Sequence, residues 1–535
     1  MPATWDAPVD SPDDVRPSRS RGGGWGATLA VTALAAALRL WHLGRPNELL
    51  FDETYYAKHA WSMWLFGWVR SFPDDADAAI VDGTTRGPQI FEADPTLIVH
   101  PELGKWLIAL GEGAFGMDSV GWRISSAVAG TLMVLLMVRF VRRITGSTVV
   151  GAFAGLLLAL DGMALVLSRL ALLDIFVAFF LLAAIYCLVR ERESRQLRLA
   201  ARLDAHAGRG LGPLRGLLLR PWLMAAGAMF GASLACKWSN IFALAAFGLL
   251  VWAWDALARR RAGVRWAWAK SLLLDAGPAA LQLVGAAAVV YVLSWTGWLI
   301  HAEEFEQAFR NTQYGADWGA YLDRDAQGFL PELQQSLRSL WSYHQDVYTF
   351  HRDFLDDATH TYQSNPWGWL VLERPVGIDA QLDIQPGDQG CTAPEGSDCL
   401  RQVLLLGTPA VWWAGCAAAL SSLWFALVKR DWRDGIVVVG VLATWLPWLP
   451  YADRPVFSFY AINSLPFLVL ALALAARRII APSAASVRRR RIGAAVVGVY
   501  VALVIANAVW LWPIWTDQLV THDEWLRRIW FDSWI

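Results

Sequence analysis

Eleven apolar runs dominate the chain, near 25–44, 120–138, 149–167, 173–189, 222–238, 241–256, 277–299, 403–428, 435–450, 456–476 and 492–513. Each approaches the roughly 20 residues that a helix needs to cross a ~30 Å hydrocarbon core. The pattern predicts an all-α polytopic membrane protein, with span boundaries least sharp within 222–256. Lys and Arg gather in alternate gaps, at 1–25, 139–143, 190–220, 255–270, 429–433 and 477–491, which together hold more than half of the 46 basic residues. By the positive-inside rule these gaps are cytoplasmic. The N-terminus is then inside and, after eleven spans, the C-terminus outside. A cleavable signal peptide is the alternative for the first run, but 25–44 is longer than a typical h-region and lacks a small-residue cleavage site.

This topology divides the chain into a polar cytoplasmic tail (1–24), too poor in apolar residues to fold, a transmembrane domain (25–513) and an external tail (514–535). Two long external loops, 45–118 and 300–402, interrupt the spans, and ordered-looking loops of that length are usually functional. Composition agrees: 56% hydrophobic, 17% charged and 32 Trp, a residue that favours membrane interfaces. A net charge of −1 gives no sign of a nucleic-acid partner.

The first loop opens on Pro46-Asn47-Glu48-Leu49-Leu50-Phe51-Asp52-Glu53-Thr54-Tyr55-Tyr56. Two carboxylates this close to hydrocarbon depth are costly without a purpose or a partner, although either would also serve as a helix N-cap. Residues 55–69 carry Trp61, Trp64 and Trp68 at helical spacing, which predicts an amphipathic helix anchored at the interface. Four cations fall at the outer ends of different segments: Lys105 after His100-Pro101-Glu102, Arg123, Arg169 within Ser168-Arg169-Leu170-Ala171-Leu172-Leu173-Asp174, and Lys237 in Cys236-Lys237-Trp238-Ser239. Snorkelling accounts for any one of them. Four together suggest an anion held at the outer leaflet, with Arg454 a fifth member, although Arg169 and Asp174 are also able to pair with each other.

The second loop supplies polar and aromatic groups suited to a sugar or an extended peptide, among them His344, His351, Gln363 and Asn365, with Tyr55, His100 and Asp174 as further candidate contacts. Cys391 and Cys399, external with seven residues between them, suit a disulfide. Cys187, Cys236 and Cys416 read as small buried hydrophobes. No spacing argues for a structural metal.

Phe51-Asp52-Glu53-Thr54-Tyr55-Tyr56, His100-Pro101-Glu102-Leu103-Gly104-Lys105-Trp106, Ser168-Arg169 with Leu172-Leu173-Asp174, Lys237-Trp238-Ser239 and Tyr362-Gln363-Ser364-Asn365-Pro366-Trp367, in that order, resemble the actinobacterial branch of the protein O-mannosyltransferase family. The resemblance covers about 40–470. It implies a GT-C glycosyltransferase fold, a polyprenyl-phosphate mannose donor and Ser or Thr acceptors on secreted polypeptides, met as they emerge from the secretion machinery at the outer face of the cell membrane. It also implies that Asp52 is the catalytic base, with Glu53 orienting Asp52 or the acceptor. The chain departs from the family where Glu102 replaces a second Pro, His59 an acidic residue and Cys236 a Val, and its second loop is too short for the β-trefoil domain of eukaryotic relatives.

The residue inventory fits that chemistry. A glycosyl phosphate is already a good leaving group, so cations that take up its growing charge suffice, and a carboxylate activates the incoming hydroxyl. One carboxylate and one cation cluster support single displacement with inversion, with no cofactor; Asp52 and Glu53 alone make a poor divalent-cation site. The alternatives are another lipid-phosphate-dependent transferase, carrying arabinose or aminoarabinose to a glycan or lipid, and a transporter or flippase. The latter expects mid-span charges and repeated halves.

Overall fold

The computed structural model describes residues 23–205, 219–310, 318–323, 327–355, 358–480 and 486–535. The expected cytoplasmic tail lies outside these residues except for Gly23 and Gly24. In chain order the helices are α1 (Gly23–Leu40), α2 (Glu53–Phe66), α3 (Ala76–Val81), α4 (Leu103–Phe115), α5 (Ser119–Thr145), α6 (Thr148–Ala159), α7 (Gly162–Leu167), α8 (Asp174–Ala205), α9 (Pro221–Leu234), α10 (Ile241–Arg261), α11 (Ala267–Ser271), α12 (Gly277–Ser294), α13 (Thr296–Ile300), α14 (Ala302–Phe309), α15 (Phe329–Thr349), α16 (Pro409–Leu427), α17 (Trp432–Trp445), α18 (Leu465–Ile480), α19 (Val487–Trp515) and α20 (His522–Leu526).

Each expected apolar run coincides with a helix or a helix pair. Six segments are long and apolar enough to span a bilayer: 119–145, 238–261, 267–294, 409–427, 432–451 and 487–515. Gly24–Leu40, Thr148–Ala159 and Pro221–Leu234 are apolar but shorter. The protein is thus a multi-pass membrane protein, while eleven crossings remains an expectation from hydropathy.

Local sequence explains the ends. Asp118 caps α5 by accepting from Val120 and Gly121 N–H, Gly146 closes it with φ +70°, and Pro221 and Pro409 open α9 and α16 where their missing N–H costs nothing. The centre is formed by α8 and by α18, whose residues 465–474 are all buried. Close packing follows small residues: a Cβ on Gly227 or Gly231 of α9 would stand 2.2 or 2.4 Å from a backbone oxygen of α12. This is the small-xxx-small spacing that membrane helices use to approach. At the end of the bundle expected to be cytoplasmic, Arg220 pairs with Glu191 and Asp255 at 2.8 Å each, Arg195 with Asp255 at 2.6 Å and Asp275 at 2.9 Å, and Arg259 with Asp275 at 2.5 Å. These buried ions are matched in sign and tie α8, α9 and α10 to the turn before α12.

The second external loop folds. An antiparallel pair, β1 (Val376–Ile384) and β2 (Cys399–Leu405), is extended by β3 (Val520–Thr521) from the C-terminal tail. Cys391 and Cys399 are joined across this hairpin. The tail, expected to be external, is docked by Trp525 on Gln402 Oε1 and Trp534 on Leu372 O. The expected interfacial helix with a Trp stripe is a correction. α2 is buried over most of its length, Trp61 and Trp68 are 8% and 5% exposed, and only Trp64 is open. α4 and the 70–95 segment cover it, and Trp61 donates to Thr85 O, so Trp61 and Trp68 pack protein rather than anchor lipid.

Candidate active site

The adjacent carboxylates have different surroundings. Glu53 is fully buried, and its oxygens accept from Leu50 N (3.0 Å), Ala171 N (2.8 Å), Arg123 Nε (2.9 Å) and Arg123 Nη2 (2.7 Å). Arg123 donates further to the carbonyls of Leu43 (3.4 Å), Pro46 (2.8 Å) and Glu48 (2.9 Å). A guanidinium has five N–H donors, and these five bonds use all of them. Arg123, expected on the donor phosphate, therefore stitches the 43–53 loop to α5. Arg169 behaves similarly, donating to the carbonyls of Arg39 (3.1 Å), Trp41 (2.5 Å) and His42 (3.2 Å), rather than pairing with Asp174.

Asp52 is the carboxylate left open. It is half-buried at the head of α2, caps no backbone N–H and accepts from the Tyr56 hydroxyl at 3.2 Å. Phe51 before it has φ +51°, a left-handed conformation that a bulky residue adopts only where its surroundings impose it. The Glu53–Arg123 lattice on one side and Phe457 and Phe459 against the Phe51 ring, at 5.5 and 6.1 Å, supply that constraint. Burial pushes the Asp52 carboxyl above its usual range, while Lys237 opposes the shift and Asp174 adds to it.

The cations of this cluster are Lys237 and Lys105. Lys237 Nζ lies 2.7 Å from Asp174 Oδ2, and 5.1 and 5.8 Å from the rings of Tyr460 and Phe459. Asn240 Nδ2 reaches Ser233 Oγ (2.9 Å) and Asn463 Oδ1 (3.2 Å), which fixes the turn carrying Lys237 against the segment carrying Tyr460. Lys105 Nζ donates to His100 O at 2.8 Å, and the His100 ring stacks on His351 at 5.4 Å and lies 6.2 Å from Tyr56. Burial lowers both His100 and His351 below the ordinary histidine range, so they are neutral at pH 7. His351 donates to Val99 O at 2.9 Å. Arg454 reaches His351 O and lies over Tyr451 at 4.8 Å.

Other expected contacts serve the fold. His344 is engaged at both ring nitrogens, by Tyr291 Oη (2.7 Å) and Leu340 O (2.7 Å). Gln363 Oε1 accepts from His360 N, and Asn365 Oδ1 caps the turn at Trp367 N. Tyr55 is 58% exposed. Glu102 is fully buried beside Trp106 and the Trp298 backbone, and burial raises its carboxyl and lowers the nearby Lys105 ammonium. Residues 100–105 thus hold a buried pair that carries less charge than the sequence suggests.

Sequence reasoning missed Tyr56, Tyr460 and the exposed His360, whose ring meets Phe51 at 5.8 Å and whose charge bears on Asp52. His360 sits just ahead of the Tyr362 motif, and an aromatic run in an external loop was the available signal. No group of three or more possible metal ligands exists among the described residues.

This geometry coincides with similarity to known proteins. Residues 96–209 match the family model described as dolichyl-phosphate-mannose-protein mannosyltransferase, and residues 336–534 match the C-terminal four-transmembrane region of protein O-mannosyltransferase. A polyprenol-phosphate-mannose–protein mannosyltransferase of Mycolicibacterium smegmatis is 38% identical over 98% of this chain and 96% of its own length. The enzyme of the same description from Mycobacterium tuberculosis is 35% identical at the same coverage. The chain belongs to the protein mannosyltransferase family. As a member it is a glycosyltransferase, and its helices adopt the GT-C arrangement. The Saccharomyces cerevisiae protein O-mannosyltransferase Pmt1–Pmt2 complex bound to the sugar donor superposes with a TM-score of 0.69 at 15% identity, covering 99% of this chain and 95% of that one.

Proposed function

We propose that this mannosyltransferase moves mannose from polyprenyl-phosphate mannose to Ser or Thr hydroxyls of secreted polypeptides at the outer face of the cytoplasmic membrane, with Asp52 as base. The carrying observation is the division of labour between two neighbouring carboxylates: Glu53 is saturated by four internal donors, whereas Asp52 accepts from the Tyr56 hydroxyl at one oxygen, keeps the other open and lies within the field of Lys237. Asp52 takes the hydroxyl proton as the acceptor oxygen attacks mannose C1 from the face opposite the phosphate. The C1–O bond breaks, its electron pair leaves with the polyprenyl phosphate, and the anomeric centre inverts. Lys237 faces the growing phosphate charge, where a fixed cation in a dry site acts most strongly, and Lys105, whose ammonium burial weakens, joins it as the developing phosphate charge favours its protonated form. Asp174 orients Lys237, and Glu53 with Arg123 positions Asp52. No residue need protonate the leaving group, so a second open carboxylate is unnecessary.

The experiment is transfer from radiolabelled polyprenyl-phosphate mannose to a Ser/Thr-rich peptide, in membranes with and without the protein. Label in the peptide only when the protein is present supports the reading. Label passing to a glycan or lipid with none in the peptide favours the arabinosyl-type alternative.

A further inference from the structure

We infer that α15 is an interfacial helix whose outer face is seated in the lipid of the outer leaflet, and that this seating sets the height of the donor-binding wall. Phe329, Leu330, Leu333, Leu337, Trp341 and Tyr348 are 76, 73, 38, 41, 69 and 57% exposed. Their spacing forms one stripe along the helix. The opposite face carries Leu340, Tyr343 and Val347 into a core with Trp298, Phe305 and Trp318. Polar groups of α15 also turn inward: Gln335 and Ser339 both donate to Glu306, and Asp346 accepts from Trp318 Nε1. Glu332, Gln334, Arg338 and Gln345 are exposed alongside the stripe, so the outward surface is an apolar stripe flanked by polar groups, as in a helix lying at a membrane interface. The stripe itself lines a cleft of ≈580 Å³ through Leu330, Leu333, Leu337 and Trp341, and Arg338 in the same lining lies 5.0 Å from the Tyr321 ring.

Continuity identifies the occupant. α12 faces outward through Leu281 (76% exposed) and Leu293 (64%), the apolar surface continues through Ile300 on α13 (73%), and α13 and α14 pack directly on α15. A surface continuous with that of a membrane span meets phospholipid chains. The packed face of α15 and the turn that follows it reach the site: Ile98 N donates to Tyr343 Oη at 2.7 Å, His344 stacks on Trp238, next to Lys237, and His351 of the turn donates to Val99 O. Lipid contact on one side therefore fixes the 98–100 segment and the Lys237 turn relative to the surface where a lipid-borne phosphate arrives. That last step rests on the donor proposed above.

The test places a fluorophore at Leu333→Cys or Leu337→Cys in the full chain, in phosphatidylglycerol/phosphatidylethanolamine nanodiscs, with Cys187, Cys236 and Cys416 replaced by Ala and Leu281→Cys as the lipid reference. The expected result is quenching by nitroxide on the lipid chains and protection from aqueous iodide. Quenching by iodide alone, or shielding from both quenchers as a protein partner would give, overturns the inference. In parallel, Leu333→Asp and the milder Leu337→Gln should raise KM for the long-chain donor about tenfold with kcat unchanged, and leave a short water-soluble donor analogue unaffected. Equal losses with both donors would reveal a purely structural role and overturn it. If wild-type protein transfers from neither donor, the proposed activity fails while the quenching result still stands.

Discussion

Replacing Arg123 by Met separates a positioning role from a phosphate-binding one. The substitution keeps the aliphatic stem but removes five donors from a site where the guanidinium and the Glu53 carboxylate are 1% and 0% exposed. Glu53 keeps only Leu50 N and Ala171 N, and the carbonyls of Leu43, Pro46 and Glu48 lose their partner. Breaking a buried pair from one side costs about 3–5 kcal/mol, because the remaining charge stays buried. Because the pair is fully buried, solvent screening gives no relief. If that energy is drawn from the ordered state of the 43–53 loop, kcat falls by on the order of 10²–10⁴. The assay is transfer at saturating donor, with donor KM and thermal inactivation measured on the same preparations. The expected outcome is a lower inactivation temperature, a large loss of kcat and a donor KM within about twofold of wild type. Glu53→Gln should show the same signature, and the paired substitutions should be far from additive. Wild-type stability combined with a raised donor KM would refute the reasoning and return Arg123 to the phosphate.

Further outcomes follow from the same geometry. Transfer requires ionised Asp52, whose pKa is raised by burial, so kcat should fall as pH drops through a value above the ordinary 3.8; an acid limb at or below 3.8 in the kcat–pH profile would contradict this. Lys237→Met should weaken donor use and leave Asp174 as an unpaired buried carboxylate, lowering both donor affinity and stability; unchanged donor affinity would remove Lys237 from the phosphate site. The buried Glu102 carboxyl holds its proton above the unfolded-state value of 4.5, so it lowers stability progressively as pH rises past 4.5. Glu102→Gln should therefore be more heat-resistant than wild type at neutral pH and converge with it below 4.5. Cys391→Ser should destabilise the β1–β2 hairpin by about 2–3 kcal/mol, the entropy expected for so short a loop, while transfer persists, as protease sensitivity and activity measured together would show.

Hydropathy alone located the apolar helices, six of them long enough to span, because a ~30 Å core leaves a length signature that survives without tertiary knowledge. The Asp52 stretch was legible for a related reason: charge beside hydrocarbon is rare enough to point at function. What the sequence did not reveal is which charges satisfy one another. Arg123 and Lys237 look alike as outer cations, yet one spends all five donors on the Glu53 carboxylate and on backbone carbonyls 75–80 residues away, while the other makes one bond, to the Asp174 carboxylate, and keeps donors to spare. The Trp positions of α2 misled because interfacial and core indoles share the same spacing, and only the covering 70–95 segment decides between them. The β1–β2–β3 sheet was hidden because its third strand comes from the far end of the chain.

The most direct measurement is single-turnover transfer by Asp52→Asn, with donor binding followed on the same sample. The side chain keeps its size and its contact with Tyr56 but loses the capacity to accept the hydroxyl proton. The account predicts intact membrane insertion, donor binding within a few-fold of wild type and transfer slower by at least about 10². A variant that keeps more than about a tenth of wild-type transfer, given the size of a general-base effect, would contradict the assignment of Asp52 as the base.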